Sequence, residues 1–252
     1  MATFVLVHGA WGGGWEWRRV GDLLRAGGHG AFAPTLTGLG ERAHLAGPDV
    51  DLETHVADVV GVLTFEDLRD VVLVGHSSSG SVVTGAADRA PERLRRLVYV
   101  DAVVPAADQA LVDMVPSDWV ERNLLAPARD CGNGWLVPVA VDAELLGLPG
   151  DAGRRYVAKL VPHPLGAFMQ PLRLGGAGEA VPRTFVHCVR EDGDERAASG
   201  GDAVRPADIV RPFAQRAQER GWDYRRLTAA HDPQISDPDG LVAILEEVAA
   251  LG

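Results

Sequence analysis

The run Val71-Val72-Leu73-Val74-Gly75-His76-Ser77-Ser78-Ser79-Gly80-Ser81 restricts the fold of this 252-residue chain more than any other stretch. Four consecutive apolar residues, three of them β-branched, read as a strand buried on both faces. The small residues that follow lead into Val82-Val83-Thr84-Gly85-Ala86-Ala87, read as a helix. A strand, a cramped turn and a helix make a nucleophile elbow. There the central Ser sits on strained backbone, and the residues two before and two after it must be small. Ser77 fits the centre, with Gly75 before it and Ser79 after it. Ser78 fits less well, because His76 would then occupy a small position. Ser79 stands where the usual pattern has Gly, which adds a side chain at the tightest point. On its own the run also reads as an ordinary Ser/Gly turn after a core strand, so the rest of the chain has to decide.

The flanking sequence alternates in the way a parallel α/β sheet requires. Thr3 to Val7 reads as a strand, His8-Gly9-Ala10-Trp11-Gly12-Gly13-Gly14 as a loop and Trp15 to Ala26 as a helix. Such loops lie at the carboxyl ends of parallel strands, where ligands bind. Dinucleotide binding is a poor match, since the glycines do not follow G-x-G-x-x-G and no acid follows the next strand near Ala31-Phe32-Ala33. The other use of such a loop is an oxyanion hole, in which a backbone N–H points at developing negative charge.

Further on, Pro34 to Pro48 reads as a long loop and Asp51 to Thr64 as a helix. Leu97 to Asp101 reads as the next buried strand. From Val103 to Pro182 prolines and glycines are frequent, with short amphipathic pieces at Leu111 to Leu125 and Tyr156 to Val161. A structureless loop of that length is improbable in a compact domain, so residues 105–182 are expected to form an inserted, partly helical cap between two core portions, 1–104 and 183–252. Thr184 to Val189 and Trp222 to Leu227 read as strands, Ile209 to Arg220 and Leu241 to Leu251 as helices, and Glu191 to Pro206, acidic, Gly-rich and apolar-poor, as a mobile segment. The expectation is an α/β fold with six mainly parallel, doubly wound strands near residues 3, 30, 71, 97, 184 and 222.

A formal net charge of −11 argues against nucleic-acid and anionic-membrane partners, which need clustered Lys and Arg. The two cysteines, Cys131 and Cys188, suggest no disulfide framework, and no apolar stretch is long enough to span a bilayer. A cytoplasmic enzyme acting on a small molecule is expected, with oligomeric state left open between monomer and homodimer.

A serine hydroxyl needs an adjacent base, normally an imidazole oriented by a carboxylate. His231, four residues beyond the last predicted strand, has the position the base requires. The acid should follow the preceding strand, where Glu191 is the first choice and Asp192 the reserve. Asp101, at the end of the strand after the elbow, is a second location from which a carboxylate reaches the histidine. His8 and His76 flank the proposed site and read as fixing loop geometry. His29, His44, His55, His163 and His187 show no metal-ligand spacing. No metal or organic cofactor is expected.

His8-Gly9-Ala10-Trp11 with Trp15, Gly75-His76-Ser77 and the late His231 resemble the plant methylesterase and hydroxynitrile lyase branch of the α/β-hydrolase fold. Bacterial esterase-like members of that branch are also similar at Leu36-Thr37-Gly38-Leu39-Gly40-Glu41-Arg42, Asp101-Ala102-Val103-Val104-Pro105 and His163-Pro164-Leu165. The resemblance implies Ser77 as nucleophile, His231 as base and an oxyanion hole from the N–H groups of Ala10 and Ser78. It also implies a cap that shapes the acyl or alcohol pocket. The chain departs from the pattern at Ser79, in the register around Glu191, and at Asp232, where the lyases carry a lysine. A carboxylate there opposes a cyanide leaving group. These readings point to a serine hydrolase for a carboxylic ester, lactone or thioester of a small, fairly apolar molecule. A lyase or cyclase using His231 as base, and a non-catalytic binding protein, are the alternatives.

Overall fold

The structure, a computed structural model, describes residues 1–189 and 206–251. Its sheet follows from the apolar runs. β1 (Thr3–Val7), β2 (Gly30–Phe32), β3 (Val71–His76) and β4 (Leu94–Val100) alternate with α1 (Arg18–Ala26), α2 (Leu52–Phe65) and α3 (Gly80–Arg89). Between residues 105 and 182 come α4 (Ser117–Val120), α5 (Ala126–Cys131), β5 (Leu136–Val137), α6 (Gly150–Val157), β6 (His163–Pro164) and α7 (Gly166–Met169). β7 (Arg183–Val189), α8 (Pro206–Glu219), β8 (Asp223–Thr228), α9 (Pro233–Ser236) and α10 (Pro238–Ala250) complete the order.

Six strands form one sheet in the order β2-β1-β3-β4-β7-β8, and every neighbouring pair is parallel. The six expected strands are all present, and the α/β fold with a parallel, doubly wound sheet read from the sequence is the fold observed. β5 and β6 pair separately as a short antiparallel ribbon.

Strand periodicity divides the core between the two faces. Val5, Val7, Leu73, Leu97, Tyr99 and Phe185 pack on the face covered by α2, α3 and α8; Phe4, Leu6, Val72, Val74, Val98 and Val186 pack on the face covered by α1 and α10. All six residues of β3 are buried, as expected of a strand with helices on both sides. α2 begins where the sequence indicated, with a capping box in which Asp51 accepts from the Thr54 N–H at 2.9 Å.

Two stretches divide into helical turns of different kinds. The amphipathic stretch from Leu111 to Leu125 is not one helix but a 3₁₀ turn at Leu111–Asp113, α4 and a π-helical turn at Glu121–Leu125. Pro116 sits at the N-cap of α4, where its missing N–H interrupts the periodic stretch. The expected helix from Trp15 is likewise split, its first turn being a 3₁₀ turn at Gly14–Trp17.

The strand order creates the place for a site. After β2 the chain crosses to the other side of β1, so the loops leaving β1 and β3 diverge and leave a crevice at the carboxyl edge.

Candidate active site

The turn after β3 has the strained geometry of an elbow. Ser77 has φ +55°, a left-handed conformation that a non-glycine residue rarely holds. A 3₁₀ turn over Ser77–Ser79 then feeds α3, whose N-terminus faces the site. A Cβ on Gly75 would lie 2.6 Å from Val83 Cγ2 and 3.1 Å from the Ser79 carbonyl, so strand and helix do nearly collide here. Ser79 avoids that collision. Its backbone is helical, with φ −71°, and its buried hydroxyl donates to the carbonyls of Val7 at 3.0 Å and His76 at 2.8 Å. The side chain that departs from the glycine pattern thus ties the ends of β1 and β3 together.

His231 follows β8 and reaches back across the edge of the sheet. Its Nε2 is 3.0 Å from Ser77 Oγ and its Nδ1 is 2.7 Å from Asp101 Oδ2. Asp101 terminates β4 with φ +43° and is buried. Its other oxygen accepts the Cys188 N–H at 3.1 Å, so both carboxylate oxygens have partners. Burial alone would lower the His231 imidazole; the hydrogen bond and charge of Asp101, helped by Asp232, outweigh it and raise the ring above its ordinary value.

Ser77 and His231, both named from the sequence, therefore meet, and the carboxylate that joins them is Asp101, the second location considered. Glu191 and Asp192 lie outside the described residues. Ala10 and Ser78 line the cavity beside Ser77, with Ser78 in the first turn of the helical segment. The β1 loop that carries Ala10 is pinned by Trp11, whose indole donates to the Val137 carbonyl at 3.2 Å.

Three further buried histidines hold structure. His8 donates from Nδ1 to the Gly9 carbonyl at 2.8 Å and accepts the Leu36 N–H on Nε2 at 3.1 Å, and burial lowers its pKa to about 4. His55 donates to the Thr37 carbonyl at 2.9 Å, and His163 to that of Pro164 at 3.0 Å. Burial lowers both rings.

A cavity of about 300 Å³ opens over Ser77. Trp11, Val115, Trp119, Leu124, Leu146 and Phe168 make most of its wall apolar, and all but Trp11 come from residues 105–182. Its polar end holds Glu16, Tyr156 and Asp232, which sequence reasoning had not singled out as a group. Among the described residues Glu16, His76 and Asp232 are the one cluster spaced for a metal ion. The Gln234 amide nitrogen lies in its midst, 3.5 Å from Glu16, 3.4 Å from His76 and 3.3 Å from Asp232, so a donor already holds the place a cation would take.

This arrangement of elbow, histidine and carboxylate on a parallel sheet agrees with a match of residues 4–244 to the alpha/beta hydrolase family. The chain belongs to that family. Across its whole length it is 39% identical to the carbendazim hydrolyzing esterase of Nocardioides sp. (strain SG-4G), with all of both chains covered. It is 34% identical to the alpha-hydroxynitrile lyase of Arabidopsis thaliana over 132 residues, covering 51% of this chain and 49% of the lyase. An extracellular alpha/beta-hydrolase from a Paenibacillus species has the same fold, with a TM-score of 0.79, 21% identity and 98% of each chain covered. As a member of the alpha/beta hydrolase family the chain is an enzyme of the carboxylic ester hydrolase type. No helix among the described residues is long and apolar enough to cross a membrane.

Proposed function

We propose that this α/β-hydrolase cleaves a carboxylic ester, lactone or thioester of a small apolar molecule through an acyl-enzyme on Ser77. The observation that carries the reading is the continuous line from Ser77 Oγ through the His231 ring to Asp101, at 3.0 and 2.7 Å, at the floor of an apolar cavity. His231 Nε2 takes the hydroxyl proton as Ser77 Oγ attacks the carbonyl carbon. The N–H groups of Ala10 and Ser78 hold the oxyanion. Collapse breaks the bond to the alkoxide or thiolate, which leaves with the proton from His231. Water then loses a proton to His231, attacks the acyl carbon and frees Ser77 with the carboxylic acid product. Asp101 fills the role of the acid in this mechanism. Residues 105–182 act as a cap that selects the acyl and alcohol groups, and the two free cysteines suit a reducing, cytosolic compartment. Carbendazim, for which the full-length relative is named, is the first compound to assay.

The lyase relative keeps a second reading in view, in which His231 acts as base without an acyl-enzyme. Asp232 weighs against a cyanide leaving group, since a carboxylate beside the histidine repels the departing anion. Intact mass after treatment with a fluorophosphonate separates the readings. One adduct on wild type, absent in Ser77→Ala and slow in His231→Ala, supports the hydrolase. A folded wild type that takes no label overturns it, and turnover surviving Ser77→Ala favours the lyase.

A further inference from the structure

The mechanism leaves unused a buried polar cluster behind the base. Asp232 follows His231 in the chain, yet its side chain turns inward and is buried. Its Oδ1 accepts from the Tyr156 hydroxyl at 2.9 Å and the Gln234 amide at 3.3 Å, and its Oδ2 has no protein partner. His76, the residue before the nucleophile, donates from Nε2 to the His231 carbonyl at 2.8 Å, with that same nitrogen 3.9 Å from Asp232 Oδ1. The rings of His76 and His231 lie 4.9 Å apart. Buried charge is costly unless it is partnered, so a buried carboxylate with one oxygen unpaired calls for an explanation.

We propose that Asp232 is a second carboxylate acting on His231: with His76 and Tyr156 it positions the histidine and stabilises its protonated ring during acyl transfer. This rests on the hydrolase reading, in which His231 becomes positive in both halves of the reaction. Asp232 adds a through-space attraction to the direct hydrogen bond of Asp101, and both favour the imidazolium. His76 fixes the main chain of His231 from the elbow side, which keeps base and nucleophile in register. Tyr156 lies on α6, within the segment that roofs the cavity, and its ring packs tilted against Trp15 with centroids 5.4 Å apart. The roof is therefore connected to the base through one hydroxyl.

The groups around the histidine define what can titrate with it. His231 faces Asp101 from β4, Ser77 and His76 from the elbow, and Asp232 on its own loop. Asp232 faces His76, Tyr156, Glu16 before α1, and Cys188 of β7, which lies behind Asp101. Burial, with the charge of Asp232, pushes Glu16 well above the usual carboxyl range, and burial likewise pushes up the Tyr156 hydroxyl and the Cys188 thiol.

The experiment follows the His231 ring by NMR, assigned against His231→Gln, across pH in wild type, Asp232→Asn and Tyr156→Phe, alongside the pH dependence of fluorophosphonate labelling. In Asp232→Asn the midpoint should fall by on the order of half to one pH unit, and labelling at its plateau should slow several-fold. Tyr156→Phe should move the midpoint the same way by less. A residue that only filled space would alter melting temperature and leave the midpoint in place. Unchanged midpoints in the folded variants overturn the proposal. If Asp232→Asn does not fold, Tyr156→Phe decides alone, because it removes only one hydroxyl. If wild type takes no label, the hydrolase reading fails, while the NMR midpoints still decide whether Asp232 acts on the ring.

Discussion

At the scale of single residues, three side chains from distant parts of the chain meet at the proposed site. Replacing Ser77 or His231 with Ala should lower kcat by on the order of 10⁴- to 10⁶-fold, measured on any ester the wild type turns over. Asp101→Asn should cost on the order of 10⁴-fold, since the amide favours the wrong tautomer of His231. Glu191→Gln should change kcat by less than about threefold if Asp101 holds the role alone. A large loss in Glu191→Gln with little in Asp101→Asn would reverse the assignment. Ser77 and His231 were legible in the sequence because each sits at a position that local order specifies: one between a strand and a helix, the other just past the last strand. Asp101 was legible only as one of several strand-end acids. Nothing local distinguishes it from Glu191, because the partner it must reach is 130 residues away.

At the scale of elements, the elbow works because β3, the turn and α3 pack with almost no free space. A Cβ on Gly80 would lie 1.8 Å from the Val103 carbonyl, which is backbone and has little freedom to retreat. Gly80→Ala should therefore destabilise the fold by about 1–3 kcal/mol, read as a lower urea midpoint at unchanged m. The same logic explains Ser79. A sequence pattern that demands glycine there treats the side chain as a clash, whereas helical backbone at Ser79 turns the hydroxyl onto two carbonyls and away from the crowded point. Strands and long helices were readable because their periods are written in consecutive residues. Segment 105–182 was not: short pieces broken by proline take their conformation from what they cover.

At the scale of the whole molecule, four buried histidines make the fold sensitive to acid. His8, His55, His76 and His163 all have their rings lowered, with burial the leading cause. In the unfolded chain such rings take a proton near the ordinary value of 6.5, while folded His8 does so only at about 4. Between those values the unfolded state binds more protons, so stability is full above about pH 6.5 and declines as pH falls. His8 alone should account for on the order of 3 kcal/mol by pH 4. Urea melts from pH 7.5 to 4.5 check this; a flat profile refutes it. His231 runs the other way. Its raised pKa means that acid favours its folded, protonated form, while activity, which in the proposed mechanism needs the neutral base, should rise with pH through that value.

The sequence by itself determined the layers of this protein: six strands, the helices between them, the elbow serine and the late histidine. Each of those is encoded by the period or small-residue spacing of one continuous segment. Only the tertiary structure decided which carboxylate meets His231, how Ser79 is accommodated, and that Glu16, His76, Tyr156 and Asp232 gather behind the base. Those outcomes depend on strand order and on contacts between segments far apart in the chain, and the sheet brings such residues together without leaving a mark in their local sequence.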